Sequence, residues 1–258
     1  MSMSSLLRFN FRKLRKQKSL YLCVGIMLGM LLLSAVMYKM IMDSETIGTS
    51  LQSVGVYLQT GVTFGLSTID NSYFVTLIGI VIALAVCDDY EQHTLKNIYA
   101  RGYTRKQFYF SKLALMLAAT TAVYILIMLC SFAIGFAFFG GELTDMGKVA
   151  ALIGIQYIAA LANAAFMFML STLFKRSGLS IAMAIIIPAV INLILQITDI
   201  LLKTEDVKIS GFWTTSCFTT LANINVSTTN MLICLLMSVV YTAVFIFAGS
   251  AIAKKAEV

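Results

Sequence analysis

The side chains of this sequence that could perform chemistry are few, and they are poorly grouped for catalysis. The only histidine, His93, excludes two-histidine zinc motifs, and no serine elbow that it could serve as a base lies near it. There is no glycine-rich loop followed by a lysine, so the chain has no phosphate-binding loop for ATP. The five cysteines are scattered without metal-site or redox-pair spacing. The sequence therefore predicts no catalytic residue, no metal site and no cofactor bound by this chain.

A second group of polar residues lies within long apolar stretches, where polar side chains are costly and informative. Asn192, Gln196 and Asp199 recur at i, i+4 and i+7, which places them on one face of a helix. Gln156 and Asn163 are seven residues apart and also share a face. Two interpretations stay open for these five residues. They line a polar path for a substrate, or they bond across helices and stabilise their packing.

The composition assigns the whole chain to a class. Of its 258 residues 59 % are hydrophobic and only 12 % are charged, which indicates a membrane protein with several spans. A spanning helix needs about 20 apolar residues. By that rule the sequence predicts an all-α protein with a single transmembrane domain over residues 1–258. Its six candidate spans are residues 20–42, 73–87, 113–139, 149–174, 179–202 and 231–253.

The basic residues predict the orientation of these spans. Six spans place both termini on one side, and fifteen of the nineteen lysines and arginines fall on that side. Four of the twelve acidic residues lie there, so the two sides carry formal charges of +11 and −4. Basic residues are retained on the cytoplasmic face, so we expect both termini inside. Topology thus explains the positive net charge, and no nucleic-acid partner is needed.

Three segments outside the spans have a distinct character. Residues 1–18 combine apolar residues at helical spacing with arginine and lysine, which predicts an amphipathic helix on the cytoplasmic membrane surface. Residues 203–230 contain Phe212 and Trp213 and a threonine-rich stretch, and are predicted to be an outer interfacial or re-entrant segment. Residues 88–112 form the longest dense run of charge between two apolar runs, on the cytoplasmic side.

Within this cytoplasmic segment, residues 91–100 favour a short helix. Leu95, Ile98 and Tyr99 form one apolar face of it, Gly102 ends it, and Thr104 can cap the helix that follows. A short amphipathic helix tied at both ends to membrane spans would transmit any motion applied to it. The alternative interpretation is an ordinary basic loop.

At this point the sequence resembles a family, the permease subunits of ABC transporters of the ABC-2 type. The family's second span ends in an acid, followed by Gly-Thr, an apolar helix, a turn with arginine and a lysine that opens span three. The matching residues are Glu91, Thr94, Leu95, Lys96, Asn97, Ile98, Gly102, Thr104, Arg105, Phe108 and Lys112. His93 replaces the family's glycine, and the sequence 102–105 replaces its usual Pro-Ser-Arg turn.

The resemblance implies a coupling helix at residues 91–102 that docks on a separate ATP-binding subunit. Its ATPase-coupling residues would be Glu91, Thr94, Leu95, Lys96, Ile98, Tyr99, Gly102 and Arg105. ATP and Mg²⁺ would be bound by that partner, and two permease chains, identical or related, would join two ATPase chains. The chain looks most similar to permeases of bacterial peptide exporters, which confer lantibiotic immunity or secrete amphipathic toxin peptides, in the bacterial cytoplasmic membrane.

Two other functions stay open at this stage. The first is an ion-coupled secondary transporter or channel, with the face of Asn192, Gln196 and Asp199 as the ion path. The second is a membrane scaffold or sensor without flux, in which residues 88–112 bind a signalling partner. Flux in liposomes with and without ATP separates the three functions.

Overall fold

A computed structural model describes residues 3–43, 60–69, 72–92, 98–100, 102–141, 145–202 and 209–255; these residues are mostly helical and contain no strand. The helices are α1 (Met3–Lys16), α2 (Lys18–Asp43), α3 (Gly61–Ser67), α4 (Ser72–Glu91), α5 (Arg105–Phe139), α6 (Met146–Phe174), α7 (Ser177–Leu202), α8 (Thr214–Leu221) and α9 (Thr228–Lys255). A 3₁₀ turn, Ile209–Phe212, precedes α8. The predicted all-α fold is confirmed.

Six of these helices, α2, α4, α5, α6, α7 and α9, are long and apolar enough to cross a membrane. They coincide with the six predicted spans and extend a few residues beyond them, most clearly at the two ends that flank the 88–112 segment. α4 continues to Glu91 and α5 already begins at Arg105. The polar residues of the 88–112 segment therefore lie largely on helices that leave the bilayer, and only a short connection joins them. We call the side that carries Met3 and Lys255 the basic face.

The helix α6 is the centre of the bundle and the most buried of the six spans. It packs against α9, α4, α5 and α7, and the short α8 also rests on it. Its alanines at 159, 160, 162, 164 and 165 are all buried, and such small side chains allow close helix packing in a membrane. By contrast, most apolar side chains of α2, α7 and α9 are exposed or only partly buried.

Several polar groups within the bundle form hydrogen bonds across helices, as the absence of water in a bilayer favours. The Tyr124 hydroxyl on α5 donates to the carbonyl of Ile153 on α6 at 2.7 Å. Thr68, just after α3, bonds to Ser131 of α5, which ties the short α3 to that span. Gly61 at the start of α3 donates its N–H to the carbonyl of Gly140 at 2.9 Å. These contacts hold α3 on the face opposite the basic face.

Candidate functional site

The basic face carries a cluster of charged side chains that joins three helices. The Lys112 ammonium on α5 lies 2.5 Å from Oδ2 of Asp89, at the end of α4. Lys13 of α1 lies 2.6 Å from Oδ1 of the same carboxylate and 2.9 Å from Oδ2 of Asp88. One carboxylate thus binds α1 and α5 to α4. We call Lys13, Asp88, Asp89 and Lys112 the charge cluster.

Burial gives the charge cluster its energetic importance. The side chains of Asp89 and Lys112 are only 2 % and 3 % exposed, whereas Lys13 is 26 % exposed. Buried charges are costly without a partner, so each of the two buried groups depends on the other. Burial disfavours the charged form of Lys13, but the hydrogen bonds and charges of Asp89 and Asp88 outweigh it and raise the pKa of Lys13. The ammonium group of Lys13 is therefore charged at neutral pH.

A small apolar cluster lies beside the charges and includes the coupling segment. Three side chains are buried together in it: Leu6 of α1, Ile98 of the connection and Phe108 of α5. Tyr99 packs against them. The rings of Tyr99 and Phe108 are 6.5 Å apart in an edge-to-face arrangement. Leu6 is four residues before Asn10, whose Nδ2 donates to Ser111 Oγ at 3.2 Å. The N-terminal helix is thus held against the segment that joins α4 to α5.

This packing changes the interpretation of Ile98. The sequence placed Ile98 and Tyr99 on one apolar face available to a partner, but the side chain of Ile98 is 8 % exposed and packs inside this chain. Tyr99 is half-buried, and burial raises the pKa of its phenol. In this chain α1 therefore covers Ile98, and the coupling role of the face formed with Leu95 and Tyr99 stays a prediction.

Glu91 takes part in a contact that the sequence did not indicate. Its Oε1 accepts a hydrogen bond from the backbone N–H of Ser177 at 2.6 Å and another from Ser177 Oγ at 2.8 Å. Ser177 is the first residue of α7, where backbone N–H groups have no partner within the helix. A carboxylate at a helix N-terminus also interacts favourably with the helix dipole. Glu91 therefore links the end of α4 to the start of α7.

The turn before α5 agrees with the local sequence signals. Gly102 has φ +83°, in the left-handed region that favours glycine, and its N–H donates to the carbonyl of Tyr99 at 2.9 Å. Thr104 Oγ1 accepts from the N–H of Gln107 at 3.3 Å, and Gln107 Oε1 accepts from the N–H of Thr104 at 3.0 Å. This capping box confirms the predicted cap.

Arg105, the first residue of α5, reaches the other end of the chain. Its Nη1 donates to the carbonyl of Lys254 at 3.3 Å, in the last turn of α9. A cation there also complements the helix dipole of α9. Three other predicted coupling residues, Thr94, Leu95 and Lys96, lie outside the described residues.

Two of the polar residues in the spans lie inside the protein. Gln156 is fully buried on α6, and its Nε2 donates to the carbonyl of Leu66 in α3 at 3.1 Å. Asn163, two turns further along α6, is 5 % exposed. The contact of Gln156 joins α6 to α3, as the packing interpretation expects, and the substrate-path role of Gln156 and Asn163 stays a prediction.

The other polar face borders a cavity of about 490 Å³ between α4, α7 and α8. Asn192 and Gln196 line it, and Asn192 Oδ1 accepts a hydrogen bond from Thr215 Oγ1 at 2.9 Å. Asp199 is half-buried one turn beyond Gln196, outside this lining. Thr76, near the start of α4, also lines the cavity, so the cavity occupies the half of the bundle remote from the basic face.

The cavity wall combines two kinds of side chain in equal number. Six residues are apolar and six are neutral and polar, and none carries a charge. The apolar ones are Val75, Ala184, Ile185, Pro188, Ala189 and Phe218, and the polar ones are Thr76, Asn192, Gln196, Thr215, Ser216 and Thr219. Such a wall can accept apolar side chains together with hydrogen-bonding groups of the peptide type. The contributions of α4 and α8 could not be found from sequence, because periodicity does not show which helices are neighbours.

Sequence reasoning also missed the charge cluster as a unit. Its signals were present, since Asp88 and Asp89 end one apolar run and Lys112 opens the next. Their pairing with Lys13, about a hundred residues from Lys112, depends on tertiary structure.

No curated protein matches this sequence.

The charge cluster lies at one end of the bundle, and the cavity lies in the opposite half. Residues 6–192, well over half of the chain, match the family described as ABC-2 family transporter protein. Six apolar spans agree with that match and make this a multi-pass membrane protein. The chain belongs to the ABC-2 family of transporter proteins.

Proposed function

We propose that this chain is the permease of an ATP-driven exporter whose substrate is an amphipathic peptide. The observation that carries the proposal is the attachment of the connection between α4 and α5. This connection is fixed to α1 by the apolar cluster of Leu6, Ile98 and Phe108, and its two flanking helices are joined by Asp89 and Lys112. A partner that pushes on this connection would move α4 and α5 together.

The ATPase that the family implies would dock at residues 91–102, on the basic face and hence in the cytoplasm. Glu91 would carry the motion on to α7, because its carboxylate binds the first residue of that helix. The helices α4 and α7 both line the cavity in the opposite half. Motion at the docking segment would therefore change the shape of the cavity, which is what an export cycle requires.

The choice of a peptide rests on the wall of the cavity. Its uncharged polar groups suit a peptide backbone, and its apolar residues suit the apolar face of an amphipathic helix. We further propose that two copies of the permease work with two ATPase chains in the bacterial cytoplasmic membrane, as the resemblance implies.

The test is reconstitution with the partner ATPase. The two proteins are co-purified and placed in proteoliposomes, and uptake of a fluorescent amphipathic peptide by inside-out vesicles is followed with and without ATP. We expect uptake only with ATP and both proteins. L95E and Y99E should lower peptide uptake per ATP hydrolysed, whereas K106Q, an exposed change in the first turn of α5, should not. Uptake by the permease alone would contradict the proposal.

The second candidate is an ion-coupled transporter or channel, and one observation favours it: Asn192 and Gln196 line the cavity. It requires ion-driven flux without ATP, and D199N should abolish that flux. Under the exporter proposal D199N leaves ATP-driven peptide uptake largely intact, because Asp199 lies outside the cavity lining.

A further inference from the structure

A groove runs between the N-terminal helix α1 and the span α5. Its volume is about 380 Å³. Leu7, Arg8, Phe11 and Arg12 of α1 form one wall, and Ala114, Leu115 and Ala118 of α5 form the other. Apart from the two arginines, every lining residue is apolar.

Both walls of the groove are held in place, one by the packing of α1 and the other by the span α5. The opposite face of α1 is held to the bundle by the buried residues Leu6, Asn10 and Leu14 and by the ion pairs of Lys13. With α1 held there, its other side leaves Phe11 exposed and Leu7 half-buried. The small side chains of Ala114 and Ala118, one helical turn apart, leave an open strip beneath it.

The charges on α1 divide into two groups. Lys13 points into the bundle and is neutralised by Asp88 and Asp89. Arg8 and Arg12 lie one turn apart on the exposed side, and no carboxylate among the described residues forms an ion pair with either. Two guanidinium groups at the rim of an apolar strip therefore have no anionic partner within the part of the chain described.

The position of the groove matches one leaflet of a membrane. α1 ends just before Lys18, where the first span begins, so it lies at the headgroup level of the basic face. Ala114 and Ala118 lie roughly 14–20 Å along α5 from Arg105, at 1.5 Å per residue, which is within the hydrocarbon layer. The arginines thus stand at headgroup depth and the alanine strip at acyl-chain depth.

We propose that this groove binds one anionic phospholipid of the inner leaflet, with its phosphate between Arg8 and Arg12 and an acyl chain along Ala114 and Ala118. Arginine presents a planar fork of donors that fits phosphate oxygens. Phe11, which is 58 % exposed beside the arginines, covers the part of the acyl chain nearest the phosphate. The bound lipid fills the space between α1 and α5, and this site is independent of the peptide-export proposal.

The experiment counts bound lipid. The full chain is delipidated in detergent, equilibrated with equal amounts of phosphatidylglycerol and phosphatidylcholine, and examined by native mass spectrometry. We expect one retained phosphatidylglycerol per chain, preferred over phosphatidylcholine at least tenfold. R8Q/R12Q should abolish the preference. The matched control R15Q/K16Q removes two exposed charges of the same helix that do not line the groove, and should keep it.

A filling variant tests the apolar half of the site. A118L keeps both arginines but closes the strip, and should lower retention of both lipids at least fivefold. Size-exclusion chromatography verifies that each variant is folded, which is expected because Arg8, Arg12 and Ala118 are exposed.

Four results would overturn the proposal. Equal loss in R15Q/K16Q and R8Q/R12Q would show diffuse attraction of charge rather than a site. Full displacement of the lipid by inorganic phosphate at millimolar concentration would show a phosphate site without a lipid. Undiminished lipid retention by A118L would exclude the alanine strip. An A118C cross-link between two copies, absent in the parent chain and unaffected by added phosphatidylglycerol, would assign the groove to a second copy of this chain.

Discussion

Asp89 and Lys112 form an ion pair of 2.5 Å that closes the base of the connection between α4 and α5. Both side chains are almost completely buried, and Lys13 of α1 shares the same carboxylate. The two helices that flank the docking segment are therefore coupled by one buried electrostatic contact. This relationship leads to the first two predictions.

Removal of one member of the buried pair should be more harmful than removal of both. K112M leaves Asp89 with Lys13 alone, and D89N leaves Lys112 uncompensated, so each should lower the free energy of unfolding by about 3–5 kcal/mol. The double variant D89N/K112M should recover most of this loss. Thermal unfolding in detergent measures this loss of stability. K106M, which replaces an exposed lysine, is the control. Additive losses in the double variant would contradict the prediction.

The contribution of Lys13 should depend on pH in one direction. Because the charges of Asp89 and Asp88 raise its pKa above 10.5, its stabilisation is fully present below that pH and is lost as the pH rises through the higher value in the folded protein. The difference in unfolding free energy between the parent chain and K13M should therefore be equal at pH 6 and pH 9 and decrease above pH 10.5. A difference that already disappears between pH 6 and pH 9 would refute this.

Ile98 and Leu6 should be energetically coupled, because they pack in one cluster with Phe108. I98A should cost about 2 kcal/mol, at the lower end for a buried residue, since the cluster is small. L6A should cost a similar amount, and the double variant should cost less than the sum by about 0.5 kcal/mol or more. A double-mutant cycle from denaturant unfolding measures this coupling. L33A, an exposed leucine on α2, serves as the control.

Glu91 should protect the first turn of α7 from hydrogen exchange. E91A removes the acceptor for the Ser177 N–H and hydroxyl, so amides of residues 177–180 should exchange several-fold faster. Q92A, which alters the neighbouring residue that bonds Asp88, should leave these amides unchanged. Hydrogen-exchange mass spectrometry of the purified chain measures the exchange of these amides in both variants. Unchanged rates in E91A would mean that the contact does not hold α7.

Filling the cavity should impair export without loss of ATP hydrolysis. A189W places a large ring in the cavity wall, whereas V190W adds the same ring to the neighbouring exposed residue, which does not line the cavity. In proteoliposomes with the partner ATPase, A189W should lower peptide uptake at least tenfold and V190W less than twofold. Basal ATP hydrolysis should remain within twofold in both. Equal effects of the two variants would exclude the cavity as the path.

Local signals in the sequence were sufficient for the spans and for several of their ends. The length and apolarity of each run decide whether a helix crosses the bilayer, and both are properties of consecutive residues. The cap at Thr104 and the turn at Gly102 were also predictable, because their hydrogen bonds join residues at most three apart. The orientation, with both termini inside, stays a prediction from the counted charges.

The tertiary structure alone decided which of these residues meet. Lys13 and Asp89 are 76 residues apart, and Glu91 and Ser177 are 86 residues apart, so no periodicity or motif could pair them. The same holds for Ile98, whose apolar side chain suggested a docking face until the packing of α1 covered it. The apolar character of a residue predicts that its side chain is shielded from water. Only the arrangement of the helices decides whether lipid, a partner or this chain itself shields it.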